Sequence, residues 1–138
     1  MSQHVRDVTM PTPFTVQASC SLPEAARLMR SWDIREVLVL DGDILQGVLT
    51  DTDVIVLAIA SGVPPSELSA GDCLIPDAPR LQVDQLIPEA IAYMRVHQVN
   101  RAPVVDGDRL VGSAWIGDLE LANRPRQPDA PNRPRSVA

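Results

Sequence analysis

The 138-residue sequence contains no lysine, so its positive charge rests on 12 arginines set against 18 acidic residues. The resulting net charge of −6 argues against any general affinity for nucleic acid phosphates. Cysteine and histidine are as scarce. Cys20 and Cys73 form neither a disulfide framework nor a zinc-ligand spacing, and His4 and His97 supply too few further ligands for a structural metal site. The two thiols read as buried or idle. No nucleophile–base pairing and no glycine-rich phosphate loop is present, which excludes the common enzymatic constellations and leaves no catalytic residue to name. Long apolar runs are also missing: the longest, residues 54–60, is far too short to span a bilayer, and residues 1–7 carry no apolar core of signal-peptide length. The expectation is a soluble, cytoplasmic protein with no membrane partner.

The charge is unevenly spread. Residues 123–138 hold four Arg and one Asp, a balance of +3, which leaves eight Arg and 17 acids, or −9, on residues 1–122. The stretch 123–135 has four prolines and no apolar periodicity. Such a segment buries too little to offset its ordering entropy, so a mobile Pro/Arg tail is expected, with docking to an acidic partner as the alternative.

What the sequence does contain is itself, twice. Sliding residues 5–57 onto 70–122, an offset of 65, gives 15 identical positions without a gap, among them Asp7/Asp72, Pro11/Pro76, Asp41-Gly42-Asp43/Asp106-Gly107-Asp108, Gly47/Gly112 and Asp53/Asp118. The chain is an internal duplication. Each half, at about 55 residues, is marginal as an independent fold, so the two copies are expected to pack into one module. The domain division is then 1–65 for the first motif with its linker, 66–122 for the second, and 123–138 for the tail.

Local signals order each copy as β-α-β-β-α, an α+β class. Pro11 and Pro13 end a first turn around residues 5–10, and residues 14–17 read as a short strand. Ser21 and Glu24 match a capping box ahead of a helix to about Trp32, whose apolar positions recur at helical spacing. Residues 37–40 and 44–50 flank Asp41-Gly42-Asp43, a hairpin signal. Residues 51–61 then form a helix with seven consecutive apolar residues, which predicts burial on more than one side and hence a partner for the face turned from the sheet. In the second copy the same elements fall at 81–83, 86–97, 101–106, 109–114 and 116–122.

This duplicated unit has Gly-x-x-Thr-x-x-Asp at residues 47–53 and Ala-Pro-Val-Val-Asp at residues 102–106, and it resembles the tandem cystathionine-β-synthase (CBS) domain pair, or Bateman module. Coverage runs from about residue 5 to 122, and among such modules the chain is similar to the small stand-alone pairs, of which hypoxic response proteins are one kind. The resemblance implies a regulatory module that senses an adenosine-containing ligand in an inter-motif cleft and signals to an unidentified regulated protein, commonly as a disk-like homodimer built through the helices. AMP is the first candidate ligand, with ADP, ATP, NAD and S-adenosylmethionine behind it. The alternative is a ligand-free, stress-associated interaction scaffold.

Carried over residue by residue, the resemblance makes Asp53 the ribose carboxylate and Thr50 a contact for ribose or phosphate, since a carboxylate accepts from both ribose hydroxyls and a helix start attracts an anion. The same pair is a helix-capping pattern, which needs no ligand. Val16, Val37 and Leu38 in the first copy, and Ala102 and Pro103 in the second, are the apolar wall candidates. The copies diverge in complementary ways: copy one has Glu36 where copy two has Arg101, and copy two has Trp115 where copy one has Thr50, while Asp118 matches Asp53. Two unequal clefts are therefore expected, the Thr50/Asp53 cleft the better ligand site and the other narrowed or blocked by Trp115; the alternative is a second site in which Trp115 stacks on the base beside Asp118 and Arg101. Arg101 is a phosphate ligand or the partner of a surface carboxylate.

Overall fold

The computed structural model describes residues 3–12 and 14–125, and the expected mobile tail lies mostly outside the described residues. A 3-10 turn over Val5–Val8 precedes β1 (Thr15–Gln17), α1 (Leu22–Trp32), β2 (Glu36–Asp41), β3 (Ile44–Thr50) and α2 (Asp51–Ala60). After a second 3-10 turn at Pro65–Glu67, the other copy runs α3 (Ala70–Cys73), β4 (Leu81–Gln82), α4 (Ile87–Val96), β5 (Arg101–Asp106), β6 (Arg109–Trp115) and α5 (Ile116–Ala122). The α+β class and the β-α-β-β-α order are as the sequence predicts.

The start of α1 is half of the expected capping box. Ser21 Oγ accepts from the Glu24 N–H at 3.2 Å, but the Glu24 carboxylate turns to Arg27 at 2.9 Å instead of returning to the Ser21 backbone. Each hairpin turns on two residues, Gly42-Asp43 and Gly107-Asp108, and the glycines adopt φ of +67° and +68°, a left-handed conformation that glycine enters without strain. The repeat identity Gln17/Gln82 has its reason here. Each glutamine side chain clamps its copy's turn, donating to the glycine carbonyl and accepting from the glycine N–H, at 3.0 and 2.9 Å for Gly42 and 3.3 and 3.2 Å for Gly107.

All six strands join one sheet in the order β1-β2-β3-β6-β5-β4. β1 and β4 lie parallel to β2 and β5, and the hairpins are antiparallel. The halves meet where β3 pairs with β6 through Ile44 opposite Arg109, flanked by Leu45 N–H to Asp108 O and Leu110 N–H to Asp43 O, both 2.9 Å. Those residues are repeat equivalents, so a pseudo-twofold axis passes between them. Leu38, Leu40, Leu45, Val48 and Val105 pack into an apolar seam along it, distinct from the separate core of each half.

The copies do not pack as two self-contained units, because each lends its first segment to the other. Val5 is fully buried among Leu81, Ile87, Met94 and Leu119 of the second half, while Ala70 and Cys73 complete the core of the first. The backbone follows suit: Met10 and Ser113 exchange hydrogen bonds of 2.9 and 2.8 Å, and their equivalents Ile75 and Val48 do so at 2.8 and 3.1 Å. Both crossings demand glycine beside them. A Cβ on Gly47 would strike the Ile75 carbonyl oxygen, and one on Gly112 the Met10 carbonyl oxygen.

In the single chain α2 packs by one side alone. Val54 and Ala58 pack partly against the first core, yet no residue of α2 is buried in the single chain, and Ile55, Val56, Leu57 and Ile59 stand exposed. Among the described residues no helix is long and apolar enough to cross a membrane.

Candidate functional site

Because β3 and β6 pair at one register position and diverge from it, a cleft opens between the halves where β2 and β5 begin. It contains a cavity of about 170 Å³. Glu36, Val37, Leu38, Val48 and Thr50 line it from the first half, and Val99, Arg101, Ala102, Pro103 and Ser113 from the second. The rest of the lining, Thr12 and Phe14 with Ile75, Ala78 and Pro79, comes from the ends of the two crossing segments. Apolar side chains dominate, as in most small-molecule sites.

Polar chemistry concentrates at two places. Thr50 is the N-cap of α2: its Oγ1 accepts from the Asp53 N–H at 3.1 Å and donates to the Asp53 carboxylate at 2.6 Å. The capping reading of Thr50-x-x-Asp53 is thus realised, and Asp53 holds the Thr50 hydroxyl rather than lining the cavity. The second place is an ion pair, in which Arg101 Nη2 donates to Glu36 Oε1 at 3.1 Å with the side chains 32% and 43% exposed. Among the described residues these are the only charged groups on the lining. The Arg101 guanidinium also lies 5.0 Å from the ring centre of Trp115, within cation–π range.

Of the residues singled out in the sequence, Val37, Leu38, Thr50, Arg101, Ala102 and Pro103 converge on this one cavity. Val16 does not join them. It is 6% exposed inside the first core, because the inward face of the short β1 packs against α1 and β2. Trp115 is not on the lining of this cavity. It sits at the N-cap position of α5, 48% exposed, and supplies no side-chain cap. Asp118 is exposed on α5, away from the lining. Thr12, Phe14, Val48, Ile75, Ala78, Pro79, Val99 and Ser113 escaped sequence reasoning, five of them because they arrive on the crossing segments. The Glu36–Arg101 contact did leave a signal: the two are repeat equivalents of opposite charge, and equivalents near a twofold axis meet.

Neither cysteine serves the site. Burial raises the pKa of the Cys73 thiol, with Asp72 and Asp53 adding to it, and burial followed by the Glu24 charge raises that of Cys20. Among the described residues no three His, Cys, Asp or Glu side chains gather closely enough to hold a metal ion.

The profile of the CBS domain matches residues 5–59 and 70–113. The CBS domain-containing protein YhcV of Bacillus subtilis is 31% identical over 121 residues, spanning 85% of this chain and 83% of its own length. A crystal structure of Hypoxic Response Protein I with two coordinated zinc ions superposes with a TM-score of 0.76 at 30% identity, over 88% of this chain and 99% of that one. The crystal structure of CBSX2 in complex with AMP shares the fold, with a TM-score of 0.71 at 23% identity over 88% and 96% of the two chains.

Proposed function

The chain belongs to the CBS domain family, as a regulatory pair of such domains, and on that premise we propose that it senses an adenosine-containing ligand in the cavity between its halves and signals occupancy to a partner protein. The carrying observation is that one cavity joins a hydroxyl at a helix start, a single guanidinium and apolar walls drawn from both halves. Thr50 would contact the ribose, with Asp53 orienting its hydroxyl, and Arg101 the phosphate. At about 170 Å³ the cavity is smaller than the roughly 300–1,000 Å³ that encloses drug-sized ligands, which suits a purine seated between Leu38 and Pro103 with its ribose and phosphate at the mouth. AMP stands first, because Arg101 can meet one phosphate while the Glu36 charge beside it disfavours di- and triphosphates; ADP, ATP, NAD and S-adenosylmethionine follow. That CBSX2 holds AMP on the same fold supports the choice.

The exposed apolar residues of α2 support a homodimer, since soluble proteins rarely leave such a face uncovered and a twofold copy would bury it. The proposed setting is the cytoplasm. One observation favours the alternative of a ligand-free scaffold: Thr50 with Asp53, and Glu36 with Arg101, already satisfy one another. A thermal-shift series with AMP, ADP, ATP, NAD and S-adenosylmethionine tests the proposal. A ligand at a hundred times its Kd adds about 2.7 kcal/mol to apparent stability, enough to raise the melting temperature by several degrees. A flat response from well-folded protein would leave the scaffold reading standing.

A further inference from the structure

We infer that Glu36 competes with the ligand's phosphate for Arg101, so that the cavity discriminates between a neutral nucleoside and its phosphorylated form according to whether the Glu36–Arg101 pair is open or closed. The inference rests on the ligand reading above and deepens it.

The pseudo-twofold axis brings equivalent residues of the two halves face to face, as it does Ile44 and Arg109. At the mouth of the cavity it does the same to positions 36 and 101. Like charges there would repel in a partly dehydrated cleft, and a duplication with arginine at both positions would carry two cations with no carboxylate between them. Here the positions have opposite charge and bind each other at 3.1 Å. An incoming phosphate thus finds one cation, already holding a carboxylate, and the fixed charges on the lining sum to zero among the described residues. To reach Arg101 the phosphate must displace Glu36 and then tolerate its negative charge nearby. A neutral nucleoside meets neither obstacle. Arg101 can yield without losing its place, because its guanidinium also lies 5.0 Å from the Trp115 ring centre, a cation–π contact that does not depend on Glu36.

The experiment is calorimetry with adenosine and with AMP on the wild type and on Glu36→Gln, which keeps the shape of the side chain and removes its charge. The expected result is a roughly five- to tenfold tighter AMP complex for Glu36→Gln, with adenosine affinity changed by less than about twofold. Equal AMP affinities for the two proteins would overturn the competitor role while leaving the ligand reading intact. Inorganic phosphate supplies an arm that needs no nucleoside. It is expected to raise the melting temperature of Glu36→Gln and leave that of the wild type in place. Phosphate acting on both proteins alike, or on neither, counts against the competitor role. Phosphate discriminating between them while neither adenosine nor AMP binds would keep that role and sink the adenosine reading.

Discussion

Replacing Gly112 by alanine tests the crossing of segments on which the cavity depends. The new methyl would collide with the Met10 carbonyl oxygen and lie 2.8 Å from Thr9 Cγ2, so the first segment must move away from β6. The least displacement breaks the two hydrogen bonds between Met10 and Ser113, each contributing about 1 kcal/mol net. If the segment detaches further, Val5 leaves the second core, where it is fully buried, and about 1.5–3 kcal/mol of apolar burial goes with it. The expected loss is therefore about 2–5 kcal/mol, read as a lower urea midpoint with a nearly unchanged m-value. Amide exchange should localise the damage, with Met10 and Ser113 deprotected while the equivalent Ile75 and Val48 stay protected. Thr12 lines the cavity two residues beyond Met10, so AMP binding should weaken as well. Gly117→Ala is the control. Nothing lies within 4 Å of its added Cβ and it sits in α5, so this variant should match the wild type or gain up to about 1 kcal/mol. A Gly112→Ala protein within about 0.5 kcal/mol of the wild type, its Met10 and Ser113 amides still protected, would refute the reasoning.

Ile59→Glu, at a position 75% exposed on α2, should turn the proposed homodimer into a monomer in sedimentation while costing the monomer less than about 0.5 kcal/mol; a persisting dimer would move the interface elsewhere. Asp53→Ala removes the acceptor of the Thr50 hydroxyl and should cost about 1 kcal/mol in thermal unfolding, whereas Asp118→Ala, at an exposed site on a helix without a side-chain cap, should change little. The thiols of Cys20 and Cys73 should alkylate slowly at neutral pH, since burial lifts both above their ordinary 9.0. The folded chain then keeps those protons where the unfolded chain releases them, so their contribution to stability is whole below pH 9.0 and fades as pH rises through the folded-state values, a decline that a pH series of melting curves would detect. Asp7 works in the opposite sense. Backbone N–H groups of His4, then Gln3, hold its pKa below 3.8, so its contribution is present above that pH and lost as pH falls through the lowered value, where the exchange protection of those two amides should fail.

The hairpins at Gly42 and Gly107, the cap at Thr50 and the β-α-β-β-α order were all written in short windows of sequence, because capping, turn conformation and helical spacing are decided by residues a few positions apart. Family membership followed from the same windows. Which copy each first segment packs against was not legible, and the duplication itself is the reason. Val5 and Ala70 are equivalents, as are Met10 and Ile75, so packing on one's own repeat or on the other's offers nearly the same local contacts. Only the three-dimensional path from residue 10 to β1, and from residue 75 to β4, selects the crossing. That choice placed Phe14, Ile75, Ala78 and Pro79 on the cavity wall. The axis then brought Glu36 onto Arg101 across 65 positions of sequence. Val16 went to the core and Trp115 to the surface for a similar reason: the sequence marks a residue as apolar or aromatic, but which side of a strand end faces a cleft depends on how two halves of one chain come together.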